Sequence, residues 1–215
     1  TSQGIPVIAC DCPVCRSADP HDKRLRASAM LDIKGKKIII DAGPDFRYQM
    51  LRSQVKDLRA ILLTHGHKDH IGGLDDVRAF NWVKQGAVDV YGNEGTREVV
   101  YKDFSYAFAA FRYPGVPEIN YHVIDDRPFY IDDIQVVPIP VLHYKMPVLG
   151  FRIGNFAYIT DAKTIPASSM ERLKGVEYLV INALRKELHM SHFNLEEALT
   201  MIARIQPKSA FLTHI

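Results

Sequence analysis

The chain has 215 residues, 47% of them hydrophobic and 24% charged. That mix is ordinary for a soluble globular protein and excludes a disordered or low-complexity chain. With 27 Lys and Arg against 25 Asp and Glu, the net charge of +2 supplies no field for bulk binding to nucleic acid or membrane. No apolar run reaches the ~18 residues that span a bilayer. No secretory leader is visible, so a cytoplasmic protein is expected. The start at Thr1 rather than Met points to trimming. One domain over residues 1–215 fits this length, with no linker or internal repeat.

The first 26 residues are polar and turn-rich and contain Cys10, Cys12 and Cys15. A strand is expected from Ala27 to Ile33, a hairpin turn at Lys34–Gly35–Lys36, and a buried strand from Lys37 to Ile40 ending at Asp41. Residues 44–54 read as a helix and Ala60 to Leu63 as a second buried strand. The spacing then predicts a helix over 71–84, a strand over 88–91, and a helix capped by Thr96 that carries Val100, Phe104, Ala107, Phe108 and Phe111 on one face. Residues 121–160 read as all β, with strands over 121–124, 134–139, 149–153 and 157–160. A short helix over 166–174 follows, then a strand over 178–181. Asn194 starts a helix to about Arg204, with Glu197 completing a capping box. The last strand is Ser209 to Thr213. Apolar segments 38–40, 60–63, 179–181 and 210–213 are expected inside the sheets. This order of β-rich blocks and helices suggests two packed sheets with helices outside, an α/β sandwich.

The chain has nine His and three Cys. Thr64-His65-Gly66-His67-Lys68-Asp69-His70 follows a buried strand, and His65 and His67 face the same way in extended backbone. Gly66 permits a tight turn, and Asp69 and His70 begin the next helix, aimed back at the same point. Imidazole with carboxylate suits zinc, manganese or iron. The three cysteines, odd in number and within six residues, fit a disulfide framework poorly. C-x-C-x₂-C instead supplies three thiolates in one tight loop, as in a closed structural zinc site.

The H-x-H-x-D-H motif, its place after a strand, and the strand ending in Asp41 resemble the metallo-β-lactamase-fold hydrolases. The resemblance implies a four-layer αββα sandwich with a metal site at one edge. It extends along nearly the whole chain, to His143 in Val141-Leu142-His143, Asp161 after Tyr158-Ile159-Thr160, and His214 after Phe211-Leu212-Thr213. Carried over, His65, His67 and His143 hold one divalent ion and Asp69, His70 and His214 the other, with Asp161 bridging. Such a pair, ~3.5–4 Å apart, can share a water, generate hydroxide near neutral pH and clamp a phosphate or carbonyl oxygen. Asp69 can orient that water. The zinc β-lactamases have Cys where this chain has Asp161, and the flavo-diiron members have Glu where it has His67.

Among the remaining hydrolases, Cys10, Cys12 and Cys15, with Asp41-Ala42-Gly43-Pro44-Asp45-Phe46-Arg47 and Ile71-Gly72-Gly73-Leu74-Asp75-Asp76, resemble the phosphodiesterase branch associated with carbon–phosphorus lyase. That branch cleaves a cyclic ribosyl phosphate. Its fourth structural zinc ligand is a His three positions after the last active-site His, which falls past Ile215; His21 is the in-chain substitute. The resemblance also makes His192 the candidate acid for the leaving oxygen, a role worth roughly 10²–10⁴-fold. Asp41, Arg47 and His189 are candidates for supporting the metal ligands or meeting substrate.

The function expected is a dinuclear phosphodiesterase acting on a small phosphate ester through metal-activated hydroxide, with two Mn or Zn ions and one structural Zn. Its partner is that small molecule rather than a membrane or nucleic acid, and a homodimer is left open. The alternatives are a tRNA 3′-end processing endoribonuclease, a glyoxalase II-like thioesterase, or a non-catalytic cofactor-biosynthesis metalloprotein.

Overall fold

A computed structural model describes residues 2–215, beginning with a cysteine-bearing loop that holds a short α1 (Pro13–Arg16). Two sheets form, and each strand's alternation assigns its side chains to one of two layers. The first sheet contains β1 (Ala29–Ile33), β2 (Lys36–Ile40), β3 (Ala60–Leu62), β4 (Val88–Gly92) and β5 (Ile119–Val123) in that order. β1 and β2 are antiparallel, and β2 through β5 pair in parallel. The hairpin joining β1 and β2 turns at Lys34 and Gly35, both with positive φ (53° and 83°), the backbone twist a two-residue hairpin needs.

The second sheet runs β11 (Ser209–Thr213), β10 (Tyr178–Asn182), β9 (Phe156–Ile159), β8 (Met146–Ile153), β7 (Ile134–His143) and β6 (Phe129–Ile131). β9, β10 and β11 pair in parallel; β6 to β9 form an antiparallel meander. Period-2 alternation divides the apolar residues. Ile38, Ile40, Ala60 and Leu62 pack against Val136, Leu149, Phe151 and Tyr158 between the sheets. Ile39 and Ile61 face outward to α2 (Phe46–Arg52), α4 (Arg78–Lys84) and α5 (Glu94–Asp103). On the far side, Ile139, Val141, Ala157, Ile159, Leu179 and Ile181 meet α7 (Ala167–Arg172) and α8 (Leu195–Ile205). The result is the expected αββα sandwich.

Several local expectations are corrected. The single helix over 71–84 is three pieces: α3 (Lys68–Ile71), a 3₁₀ turn at Leu74–Val77, and α4. Gly72 and Gly73 separate the first two. A Cβ on Gly73 would collide with the Gly43 carbonyl, so this stretch is shaped by close backbone approach rather than by helical periodicity. Asn93, not Thr96, caps α5, its Oδ1 accepting the Thr96 N–H at 2.8 Å. The helix ends at Asp103, and a short α6 (Ser105–Phe108) follows. β11 is not interior: it is an edge strand, and Phe211 is 56% exposed. Its apolar character reflects one-sided pairing with β10 and contact of Leu212 with the outer core. The capping box at Asn194 forms as expected. Among the described residues no helix is long and apolar enough to cross a membrane.

Candidate metal centre

The chemistry-bearing residues sit where strands end. β2 leads directly into Asp41, β3 leads through Thr64 into His65, β7 ends on His143, and β9 and β11 lead to Asp161 and His214. Asp41, Asp161 and His214 each adopt positive φ (65°, 55° and 56°). Asp and His both tolerate this left-handed region better than most residues. Three strand exits thus turn sharply, and their side chains enter one buried cluster.

Asp161 stands at its middle. Its Oδ1 lies 3.4 Å from His70 Nε2 and 3.3 Å from His214 Nε2. Its Oδ2 lies 3.6 Å from His65 Nε2 and 4.0 Å from His192 Nδ1. One carboxylate oxygen therefore faces each half of the cluster, the disposition a bridging ligand requires. Asp69 approaches from α3, its Oδ2 being 3.2 Å from His70 Nε2 and 3.3 Å from His214 Nε2.

The imidazoles are fixed by bonds on their outer nitrogens. Asp41 is fully buried and accepts from the Thr64 N–H (2.8 Å), the Thr64 hydroxyl (2.9 Å) and His70 Nδ1 (2.7 Å). The Thr64 proton is committed to Asp41, so its oxygen accepts from His65 Nδ1 at 3.0 Å. His143 Nδ1 donates to the Ser191 carbonyl at 2.8 Å. In all three rings the partner engages Nδ1, so Nε2 is the nitrogen left to serve a metal. This is the arrangement a metal ligand needs, set by carboxylate, hydroxyl and carbonyl partners.

Ligand atoms group in three overlapping sets, each within 4.8 Å: Asp69, His70, Asp161 and His214; His65, His67 and Asp161; His143, Asp161 and His192. His143 thus falls with His192, whereas the sequence reading grouped it with His65 and His67, though its ring centroid is only 5.3 Å from that of His67. Buried His70 Nε2 and His192 Nδ1, both facing Asp161, have no directed hydrogen bond. Nitrogens left bare in a buried site cost free energy unless something binds them. Convergent lone pairs with carboxylates therefore fit divalent cations of the zinc or manganese type.

Electrostatics agree with this division. Burial pushes His65 well below its ordinary range, and less strongly His67. Burial also opposes charge on His70, but Asp41, Asp161 and Asp69 outweigh it and raise its pKa, so the surrounding carboxylates favour positive charge at Nε2, which a divalent cation would supply in place of a proton. Asp161 and Asp69 keep their carboxylates well below the usual range despite burial, through the histidines around them. His192 is pushed down to about 3, chiefly by burial, against the pull of Asp161.

The other candidates separate. Asp41 supports ligands from behind. Arg47 is exposed on α2 and lines the groove between α2 and α4, not the His–Asp cluster. His189 is half-buried beside His192, ring centroids 5.1 Å apart. Cys10, Cys12 and Cys15 do converge, their Sγ atoms within 4.8 Å. Cys12 Sγ accepts the Cys15 N–H and Cys15 Sγ the Val7 N–H, at 3.4 and 3.3 Å. The Cys15 N–H also lowers the Cys12 thiol pKa, which favours the thiolate a metal binds. His21 is no substitute fourth ligand: its side chain is 93% exposed and bonded to Asp19.

Sequence reading missed Thr64, Ser191 and Asn182. Asn182 holds the turn after Asp161, its Oδ1 accepting the Ala162 N–H at 2.8 Å and its Nδ2 donating to the Ala162 carbonyl at 3.0 Å. A polar residue closing the apolar strand Tyr178–Asn182 was the available signal.

The model of the Beta-lactamase superfamily domain matches residues 36–215. The chain belongs to the metallo-β-lactamase superfamily. Among solved structures it is similar to a new diphosphatase from the PhnP family, with 40% identity, a TM-score of 0.93, and coverage of 100% of this chain and 82% of that one. This places it among the metal-dependent hydrolases of the superfamily and bears out the expected branch. An octanoyltransferase of Porphyromonas gingivalis is 41% identical over 100% of this chain but only 44% of its own length. A ribonuclease Z of Nostoc punctiforme is 29% identical over 72% of this chain and 45% of its own length. The chain spans less than half the length of these two curated relatives.

Proposed function

We propose that this superfamily member is a dinuclear phosphodiesterase that hydrolyses a small phosphate ester. The observation that carries the reading is Asp161, whose two oxygens face opposite halves of a histidine cluster in which His70 Nε2 and His192 Nδ1 have no hydrogen-bond partner. His65, His67 and His143 would hold one Zn or Mn ion, Asp69, His70 and His214 the other, with Asp161 between them. Bound there, two divalent ions supply Lewis acidity, lower the pKa of water and neutralise charge on a phosphoryl group. Full-length similarity to a protein described as a diphosphatase supports a phosphorus-centred reaction.

The chain's own groups do the rest. Asp69, kept ionised by His70 and His214, can accept a hydrogen bond from the attacking water and aim it. His192 starts uncharged, so it does not store a proton in advance. It would take up the proton that the attacking water releases as its oxygen bonds to phosphorus, and deliver a proton to the oxygen that leaves. Asp41, Thr64 and the Ser191 carbonyl hold the rings so that no reorganisation is needed during reaction. Cys10, Cys12 and Cys15 would hold a separate structural zinc, completed by a ligand from elsewhere. A soluble, cytoplasmic setting with a small-molecule partner agrees with the near-neutral charge.

A tRNA-processing reading has the ribonuclease Z relatives in its favour. Against it, the stretch where a basic arm would lie folds down as α5 and α6, with Val100, Phe104 and Ala107 buried on the first sheet.

The test loads the protein with Mn or Zn and assays bis(p-nitrophenyl) phosphate, a small cyclic phosphodiester and a precursor tRNA. Turnover of the small esters is expected, with Asp69→Ala inactive and His192→Ala losing turnover while retaining both metals. An inactive loaded wild type or a fully active Asp69→Ala refutes the reading. Cleavage of the tRNA alone, falling steeply with salt, transfers it to the nuclease.

A further inference from the structure

Along the mouth of the cluster the imidazoles run His67, His143, His192, His189, with successive ring centroids 5.3, 4.5 and 5.1 Å apart. The two ends of this row differ. Near His189 stand the cations Arg185 and Lys163, which with His143 and burial lower its pKa. At the His67 end lies a cavity of about 280 Å³, with walls that are chiefly carbon.

The cavity is built from the elements that hold the ligands. His65, Gly66 and His67 form one wall, Thr96 and Val99 of α5 a second, and Met146 with Pro147 at the start of β8 a third. Gly66 allows the second wall to come close, because a Cβ there would stand 2.9 Å from Val99 Cβ. Met146 pairs in register with His143 across the β7–β8 turn. The cavity therefore opens directly beside the His–Asp cluster, and no Lys, Arg, Asp or Glu lines it.

The lining is chiefly carbon, and two of its polar atoms are already engaged. Asn93 Oδ1 accepts from the Thr96 N–H and His65 Nδ1 is bound to Thr64. An ordered water needs two to four polar partners, so water in this space is poorly held and an apolar group displaces it at little cost. A phosphate oxygen would find no cation there.

We propose that this cavity is a subsite for an apolar substituent, alkyl or aryl, on the ester that the cluster hydrolyses. The substrate is then amphiphilic, with its phosphate at Asp161 and its carbon group beneath α5. This rests on the phosphoester reading above.

The experiment uses metal-loaded protein and a series of methyl, propyl and pentyl p-nitrophenyl phosphates. Each methylene entering the cavity is expected to raise kcat/KM by up to about fourfold, the ratio corresponding to one buried CH₂. Gly95→Trp and Val99→Trp narrow the cavity. A Cβ at Gly95 meets only Asn93 Oδ1 at 3.7 Å, so that position accepts a side chain without backbone movement. In both variants the pentyl-to-methyl ratio is expected to fall toward one; taking the ratio within each protein cancels any change in overall activity or folding. Calorimetry with methyl-, propyl- and pentylphosphonate reads binding without turnover, and longer chains should give a more negative heat-capacity change.

A flat series in the wild type, or a ratio unchanged in both variants, overturns the subsite. If no diester is hydrolysed but the phosphonates show a chain-length gain that the variants lose, the subsite stands and the phosphodiesterase reading falls.

Discussion

Asp41→Asn isolates how the protein prepares its metal ligands. The substitution keeps size and shape, and Asn accepts the positive φ of 65° at this position as readily as Asp. What changes is the donor count. The Asp41 carboxylate receives the Thr64 N–H, the Thr64 hydroxyl and His70 Nδ1–H. An amide must turn an NH₂ toward one of these donors. If it faces His70, Nδ1 becomes the acceptor, the ring proton moves to Nε2, and that nitrogen no longer offers a lone pair. If it faces Thr64, a buried donor is left unpaired at about 1–3 kcal/mol.

Losing a second-layer partner of this kind typically costs 10–100-fold in metal affinity, about 1.4–2.7 kcal/mol. The loss should fall on the ion held by Asp69, His70, Asp161 and His214. The ion at His65 and His67 should be weakened less, because His65 is reached only through the Thr64 hydroxyl. Titration of apo protein with Zn or Mn in competition with a chelator reads both affinities, and circular dichroism confirms the fold. An Asp41→Asn protein that binds both ions as tightly as wild type would refute the claim that Asp41 sets the His70 tautomer.

Gly43→Ala should lower both thermal stability and metal occupancy, since its Cβ would collide with the Asp69 carbonyl; overpacking of this kind costs about 1–3 kcal/mol, and an unshifted Tm would contradict it. Leu62→Ala opens a void between the sheets at a fully buried position, with an expected loss of about 2–5 kcal/mol in denaturant unfolding. Asn194→Ala removes the side-chain half of a capping box, the Oδ1 that accepts the Glu197 N–H, and should cost about 0.5–2 kcal/mol, read as a shifted midpoint at constant m-value. Cys15→Ser should release one zinc equivalent per chain by elemental analysis; unchanged zinc content would show that the three cysteines hold no metal.

Much was legible in the sequence because it is local. Alternation and apolar runs marked most strands within a residue or two, since one face or both must be buried, but β6 was missed and β7 and β8 run three to four residues longer toward their shared turn than expected. Three histidines and an aspartate within six residues announced the motif, and the family resemblance extended it to His143, Asp161 and His214. Local pattern failed where packing overrode it. Residues 71–84 look like one amphipathic helix, yet Gly72 and Gly73 lie so close to neighbouring backbone that the helix breaks. β11 reads as interior but is an edge strand, because exposure depends on whether another strand lies beyond it.

What the residues alone determined is the inventory: which strands, which ligand types, and which superfamily. What only the tertiary structure decided is their relation. It placed Asp41 behind His70, 29 positions along the chain, removed Arg47 from the cluster, and set Asp161 between two groups of histidines. It also left an apolar cavity at one end of the mouth. The physical reason is that imidazole tautomers, desolvation and cavities are properties of groups brought together from distant strand ends. No stretch of sequence contains both the ligand and the neighbour that orients it, so the orientation exists only in the folded protein.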